Sequence, residues 1–367
     1  MKWTWQLNNW PNFEFDIEPI QNFETEYLKN SGKFFGATIH LSEEQKEQIK
    51  INLLAEEAYS TSFIEGEILN RDSVQSSIRK HLGIKATVNK SHPRENGISE
   101  MLVDLYFNFK KTLTHKMLFD WHEMLMNGRR DIDYIGAYRK HEDAMQIVSA
   151  NIATPKVFYE APPSKLVTRE MKEYILWFNK AAQDKTIPTL AFAAIAHIYF
   201  EQIHPFEDGN GRIGRALAEK ALSMRLNMPS LNSISKIIEN NRTKYYDSFS
   251  MCNQSLDLNN YLNYFSTLLL QAQDYSYKTI VFIIAKNKLF TKFQQQLNER
   301  QTKVILRIFD EGIEGFKGGL SAKNYRSISH APHATATRDL QALTEIGVIT
   351  KTGELKSTRY FLNLNSN

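Results

Sequence analysis

Twelve consecutive residues, His204-Pro205-Phe206-Glu207-Asp208-Gly209-Asn210-Gly211-Arg212-Ile213-Gly214-Arg215, bring together a base, a carboxylate, a glycine-rich turn and two arginines. A neutral imidazole titrates near physiological pH, so His204 can take a proton from a hydroxyl nucleophile. Gly209 and Gly211 predict a tight turn whose main-chain amides no side chain shields. The pattern from Arg212 to Arg225 is helical, so this turn feeds a helix N-terminus. Such a terminus presents free N–H donors and the positive end of the helix dipole to a phosphate. Arg212 and Arg215 are three apart and can share one helix face. Two guanidinium forks beside an anion nest suit a polyphosphate better than a single carboxylate. Asp208 suits a magnesium ion that bridges phosphate oxygens, because that ion prefers one or two carboxylates plus phosphates. The chemistry these residues fit is nucleotidyl or phosphoryl transfer to a hydroxyl.

Each component also has an ordinary structural role. A His-Pro pair stops a helix, an Asp before Gly sits in a turn, and arginines on a helix face are commonly solvated. Gly209-x-Gly211-x-x-Gly214 matches the dinucleotide fingerprint, but that fingerprint needs a preceding strand, and an Ala-rich helical pattern precedes it here. No kinase Val-Ala-Ile-Lys or His-Arg-Asp run is present, and no Walker A sequence.

As a unit the run resembles the signature of the Fic family, His-Pro-Phe-x-(Asp/Glu)-Gly-Asn-Gly-Arg-x-x-Arg, at every fixed position. The resemblance implies a protein adenylyltransferase that moves AMP from ATP to a Ser, Thr or Tyr hydroxyl of a target protein and releases pyrophosphate. It implies His204 as the base and Asp208 as the Mg2+ ligand. Gly209, Asn210 and Gly211 would form the anion hole, Arg212 would hold the inner phosphates and Arg215 the γ-phosphate. Ile213 and Gly214 fall within the same nucleotide-binding run, and ATP and Mg2+ are the implied cofactors.

A second motif lies upstream. Ser42-Glu43-Glu44-Gln45 is a capping-box pattern that opens a helix. That helix leads to Thr61-Ser62-Phe63-Ile64-Glu65-Gly66. From the residues alone, Glu65 is a surface carboxylate near a helix end and Gly66 is the glycine that terminates it. Thr61, Glu65 and Gly66 also resemble the family's inhibitory motif, (Ser/Thr)-x-x-x-Glu-(Gly/Asn). The implied consequence is that Glu65 pairs with Arg215 and occupies the guanidinium meant for the γ-phosphate. ATP would then bind with its α-phosphorus misaligned, and a misplaced reacting group costs orders of magnitude in rate.

The remaining elements have to position these residues. Leu190 to Gln202 reads as a buried helix, ended at His204 because the residue before proline is pushed out of the helical region. Residues 1 to about 40 are aromatic-rich and expected to be an irregular cap, with Pro11 and Pro19 opposing one long helix. Residues 85–98 read as a loop, and 101–111 and 114–126 as helices. Gly136-Ala137-Tyr138-Arg139 is similar to a short segment that Fic proteins carry before a β-hairpin. Residues 145–148 and 157–159 are short β-type runs, stopped by Pro162-Pro163. In the family this hairpin, 145–163, is the flap that docks the target protein through main-chain hydrogen bonds. The next helix spans 165–182, with Met171, Ile175 and Phe178 at core spacing. His197 reads as a satisfied core histidine. Residues 234–249 read as one helix, in which Asn241 and the pair Tyr245-Tyr246 fall where the family places its adenine-side contacts. Helices are expected at 258–271, closing the bundle, and at 275–293 as a connector.

Beyond Glu299 come helix, short helix, longer helix and hairpin, the order of a winged helix-turn-helix. Its third helix carries Thr335, Thr337, Arg338 and Gln341, able to reach bases or phosphates. The alternatives are packing against the core or dimer formation. The expected fold is therefore mainly α: a Fic-type helical bundle with a β-hairpin flap, plus a C-terminal winged helix. Expected boundaries are an N-terminal cap with inhibitory helix at 1–95, a catalytic core at 96–272, a connecting helix at 273–297 and a winged-helix domain at 298–367. A rival reading is a DNA-binding regulator whose Fic core senses nucleotide.

Composition bounds these readings. A net charge of +4 permits an ATP site without demanding nucleic acid. Cys252 is the single cysteine, so neither an intrachain disulfide nor a Cys-based zinc site can form. The first residues lack an apolar signal core, and the longest apolar run, Ile280 to Ala285, is too short to span a bilayer. A cytoplasmic location, no membrane and an open oligomeric state, with a homodimer allowed, complete the expectation.

Overall fold

The computed structural model describes residues 2–85, 92–148, 157–313 and 315–364. The chain divides into two compact units, Met1–Ser276 and Tyr277–Asn367. The first contains α1 (Glu18–Ile39), α2 (Glu43–Ile64), α3 (Arg71–His81), α4 (Pro93–Asn108), α5 (His115–Leu125), β1 (Gln146–Val148), β2 (Val157–Glu160), α6 (Ser164–Gln183), α7 (Thr189–Ile203), α8 (Asn210–Leu226), α9 (Ile234–Asn240) and α10 (Arg242–Ser250). One long helix, α11 (Asn259–Phe293), follows where the sequence pattern suggests two.

Local signals explain most boundaries. The Ser42 hydroxyl accepts the Gln45 N–H while the Gln45 side chain accepts the Ser42 N–H, so α2 starts at the expected capping box. Two prolines start helices instead of breaking them. Pro19 and Pro93 stand in the first turn of α1 and α4, where a missing N–H leaves no hydrogen bond unmade. Residues 18–39 are therefore helical rather than irregular, and the expected 85–98 loop is helix from Pro93 onward. Residues 86–91 lie outside the described residues. A glycine stands at 97 within α4 because α5 approaches closely: a Cβ there would lie 1.9 Å from the Met124 carbonyl oxygen. The expected 234–249 helix breaks at Asn241, whose side chain accepts the Lys244 N–H and caps α10.

Every residue of α7 is buried, and α8 packs along it. Three charged side chains from distant segments satisfy helix ends around this pair. The Glu24 carboxylate of α1 accepts the Thr189 and Leu190 N–H groups at the start of α7. From α8, Lys220 Nζ donates to the carbonyls of Asn108, Phe109 and Lys111 after α4. Arg225 donates to the Ala181, Asp184 and Ile187 carbonyls at and beyond the end of α6. Orphaned helix-end groups are costly when buried, so these contacts tie α1, α4 and α6 to the α7–α8 pair.

The N-terminal aromatics cap the unit as expected. Trp10 packs edge-on against Tyr199 and donates its indole N–H to Glu170, and Trp3 packs on Tyr159 of β2. β1 and β2 pair antiparallel, Gln146 with Glu160 and Ile147 with Tyr159. Residues 149–156 of the expected 145–163 flap lie outside the described residues.

The second unit contains α12 (Glu299–Asp310), α13 (Ala322–Ser329), α14 (His333–Glu345) and an antiparallel hairpin of β3 (Ile349–Thr352) and β4 (Arg359–Leu362). Its core gathers Val304, Ile305, Tyr325, Leu340, Leu343 and Val348. The Asp339 carboxylate receives the Tyr325 hydroxyl at 3.0 Å and Arg300 at 3.1 Å.

Two glycines test this packing in opposite directions. Gly97→Ala forces its methyl onto Met124 and should lower the urea midpoint, at a cost of about 1–3 kcal/mol. A Cβ placed on Gly32 of α1 would meet nothing within 4 Å, so Gly32→Ala should raise the midpoint, by ~0.5–1 kcal/mol. Paired urea titrations against the parent protein check both signs.

Candidate active site

The site is built where α7 stops. His204 adopts a left-handed backbone, φ 48°, immediately before Pro205. That conformation is uncommon outside glycine, and a buried side chain supports it. Arg139, 1% exposed, donates Nε–H to the His204 carbonyl at 2.8 Å, Nη2–H to the Pro162 carbonyl at 2.5 Å and Nη1–H to the Ser164 hydroxyl at 2.9 Å. Its own N–H donates to the Pro205 carbonyl at 3.0 Å. His204 Nδ1 lies 3.3 Å from the Glu201 carbonyl. The tautomer this bond assigns carries its proton on Nδ1 and leaves the Nε2 lone pair available. Burial pushes the imidazole down to about 4, partly offset by that hydrogen bond. It is therefore neutral at pH 7, the state a general base requires.

The following loop is clamped from two sides. Phe206 stacks on His122 of α5, with ring centroids 4.2 Å apart and planes 8° from parallel. His122 Nε2 lies 3.2 Å from the Asp208 carbonyl, and its Nδ1 accepts the Gly136 N–H at 3.0 Å. Burial lowers His122 to about 4, so it stays neutral and can hold both contacts. The Asn210 side chain accepts the Phe206 N–H and donates to the Phe206 carbonyl. It closes the loop inward, leaving its main-chain amide for any anion. Gly209, φ 84°, is the N-cap of α8.

The structure corrects the expected turn and the expected lining. Gly211 belongs to the first turn of α8 rather than to the loop. What it needs is space, because a Cβ there would lie 2.3 Å from Glu65 Oε1. Ile213 is fully buried in the core, and Gly214 faces Glu201, so neither offers a side chain to a nucleotide. Asn241 is the exposed cap of α10. Tyr245 is buried with its hydroxyl 2.9 Å from His197 Nε2, which leaves no ring face for adenine; its neighbour Tyr246 is the exposed ring. The other nitrogen of His197 meets the Tyr261 hydroxyl at 2.8 Å, so this histidine is a satisfied core residue.

The two arginines in the first turns of α8 are buried, Arg212 at 3% and Arg215 at 1% exposure, which rules out a solvated face. Arg215 Nη2 pairs with Glu65 Oε1 at 2.7 Å, and its Nε–H donates to the Thr61 hydroxyl at 2.8 Å. Gly66, φ 84°, turns the chain away after the α2 C-cap at Glu65. Arg212 pairs with Glu67 at 2.9 Å and with Asp208 at 3.1 Å. Asp208 also receives Arg129 at 2.7 Å. Partial burial works against ionisation of Asp208, but Arg212 and Arg129 hold its carboxyl below the usual range. Asp208 is thus an ionised, part-exposed carboxylate beside two guanidinium groups. Among the described residues no group of three or more His, Cys, Asp or Glu could hold a metal. That donor set fits a magnesium ion carried on a polyphosphate, which needs only one or two protein carboxylates.

Sequence reading passes over Glu67, His122, Arg129 and Glu201, and sees Arg139 only as part of a flanking segment. Burial pushes the Glu201 carboxyl up to about 8 against the pull of Arg215. Glu67, His122 and Arg139 carry no local signal because their partners lie far off in the chain, and the nearby partners of Glu201 and Arg129, His204 and Asp131, do not by themselves mark a site. Arg139→Met should strip the buried His204 and Pro162 carbonyls of their donor. Unmet buried acceptors cost ~1–3 kcal/mol each, so the unfolding free energy should fall by roughly that amount or more in a denaturant titration.

Residues 112–222 match the Fic/DOC family, and residues 3–84 match a domain of unknown function (DUF4172). A protein adenylyltransferase Fic from Culex quinquefasciatus is 37% identical over 84 residues, covering 23% of this chain and 16% of that protein. One from Drosophila ananassae is 26% identical over 219 residues, 59% of this chain and 41% of its own length. The chain thus spans less than half the length of these relatives. A Fic family protein from Desulfovibrio desulfuricans G20 superposes with a TM-score of 0.53 at 20% identity, over 95% of this chain and 97% of that one. A Fic domain containing signaling protein from Bacteroides thetaiotaomicron gives 0.52 at 19% identity, over 71% and 96% respectively. Both share the fold of this chain, and residues 112–222 carry its match to the Fic/DOC family.

Proposed function

We propose that the chain transfers AMP from ATP to a hydroxyl side chain of a target protein, and that the arrangement described here is its restrained form. The observation that carries this reading is the pairing of a neutral, oriented His204 with a buried Arg215 already occupied by Glu65. The target's hydroxyl oxygen attacks the α-phosphorus, and its proton passes to His204 Nε2. The bond from that phosphorus to the bridging oxygen breaks, and pyrophosphate leaves. The first amides of α8 and the Arg212 fork face the charge that builds on the inner phosphates. Arg215 takes the γ-phosphate once Glu65 withdraws. While Glu65 stays, the triphosphate cannot settle and the α-phosphorus sits out of line with the hydroxyl.

Asp208 would hold Mg2+, which neutralises phosphate charge when bound. The main-chain edge of β1 and β2 would align the target segment, with residues 96–272 as the catalytic core. α14 exposes Thr337, Arg338 and Gln341, and the helix–helix–helix–hairpin order of the second unit supports a winged helix able to contact DNA. Among the described residues no helix is long and apolar enough to cross a membrane, and we place the reaction in the cytoplasm.

Incubation with α-labelled and γ-labelled ATP tests the chemistry. Glu65→Gly should raise incorporation of α-label into protein at least tenfold, with no γ-label, and His204→Ala should abolish it. Protein labelling from γ-labelled ATP would point to phosphotransfer and sink the proposal. The base carries its own pH signature. Burial lowers His204 to about 4, so protons silence it only as pH falls through that value, not through the ordinary 6.5. In the Glu65→Gly variant, kcat/KM should stay within about twofold between pH 7 and pH 5.5, since that ratio reports free-enzyme groups. An acid limb centred near 6.5 would contradict the buried, neutral base.

A further inference from the structure

We propose that Glu67 is a specificity-determining residue of the nucleotide site: its carboxylate is the resident anion on Arg212, and the inner phosphates of a nucleotide must displace it. This rests on reading the His204–Arg215 loop as an ATP site. The end of α2 delivers the carboxylate. The Gly66 N–H donates to the Phe63 carbonyl at 3.0 Å and the Glu67 N–H to the Ser62 carbonyl at 2.9 Å, with Gly66 left-handed. This closure sends two acids to the first turns of α8, Glu65 to Arg215 at 2.7 Å and Glu67 to Arg212 at 2.9 Å. Glu67 also stands 3.9 Å from Arg129, which grips Asp208 at 2.7 Å, and Asp208 closes on Arg212 at 3.1 Å. Two carboxylates and two guanidinium groups thus form a ring at the mouth of the loop.

Exposed ion pairs contribute little, but Arg212 is 3% exposed and cannot be left without an anion cheaply. A polyphosphate entering this ring adds negative charge to a set that already holds Glu65, Glu67, Asp208 and Asp131. At least one acid must leave, and Glu67 is the one seated on the inner-phosphate arginine. The two acids of α2 therefore compete with different phosphates. Glu65 opposes the γ-phosphate alone, whereas Glu67 opposes any nucleotide that reaches Arg212. ADP, which lacks the γ-phosphate, should sense Glu67 and ignore Glu65.

Titration calorimetry with MgADP and MgATP on the parent chain, Glu65→Gly, Glu67→Gln and the double variant tests this. Glutamine keeps the shape and a hydrogen-bonding oxygen while removing the charge, and Glu67→Ala alongside guards against a residual contact. The expected result is ADP binding tightened roughly tenfold by Glu67→Gln and changed less than about twofold by Glu65→Gly. ATP should bind tightest to the double variant. If Glu65→Gly tightens ATP while both Glu67 variants leave ADP unchanged, the inference fails and the ATP-site reading stands. Weaker ADP binding in the folded Glu67 variants would make Glu67 a brace for Arg212 and overturn the inference. Absence of any nucleotide binding in all five proteins would refute the underlying reading as well.

Discussion

A guanidinium group buried as deeply as Arg215 must always have an anion beside it. Its charge cannot be shed at any accessible pH, and an unpaired charge at 1% exposure would carry a large desolvation penalty. In the described structure Glu65 and the Thr61 hydroxyl and carbonyl meet that demand. In the proposed reaction the γ-phosphate would meet it instead. The same electrostatic requirement thus makes a good polyphosphate site and a strong internal competitor for it. The proposed restraint by Glu65 would need no separate machinery, since an acid within reach of this guanidinium competes with a phosphate for it.

That exchange works only if the competing groups are held on rigid elements. α7 is buried along its whole length, and α8 fixes neighbouring helix ends through Lys220 and Arg225. Between the two helices, the left-handed turn at His204 would be a weak point if it stood alone. Arg139 holds its carbonyl, and His122 supports the loop beyond it by stacking on Phe206. The loop from His204 to Gly209 is short, but the residues that shape it come from α5, the segment before the hairpin and the α6 entrance. Its geometry is a property of the bundle rather than of the twelve-residue run.

Much of this is legible in the sequence where the cause is local. The α2 capping box, the helix stop at His204-Pro205, the glycine that closes α2 and the core role of His197 follow from neighbours within a few residues. The Glu65–Arg215 contact is also legible, but only through resemblance, since nothing local joins positions 150 residues apart. Sequence and structure part where one residue type has two opposite uses. Pro19 and Pro93 begin helices here, and only their place in the first turn distinguishes a start from a break. Tyr245 and Tyr246 are both expected on the adenine side, and only burial separates them: Tyr245 is closed off and Tyr246 is exposed. Glu67, Arg129 and Arg139 stay hidden because an isolated charged residue looks the same whether it is solvated or buried in an ion-pair ring.

Burial also links the proposed base to the proposed restraint. The low-polarity surroundings that push His204 down to about 4 and Glu201 up to about 8 are the same ones that make Arg215 depend on an anion. Water admitted to this corner would return the imidazole toward its ordinary titration range and, in the same step, screen the Glu65–Arg215 attraction. A looser site would therefore lose the proposed restraint and part of the proposed base together. On this argument, release of the proposed enzyme has to replace Glu65 with phosphate while keeping α7 and α8 packed. Moving the end of α2 alone meets both conditions, because Glu65 and Thr61 sit there while Arg139, His122 and Asn210, which hold the base and its loop, do not.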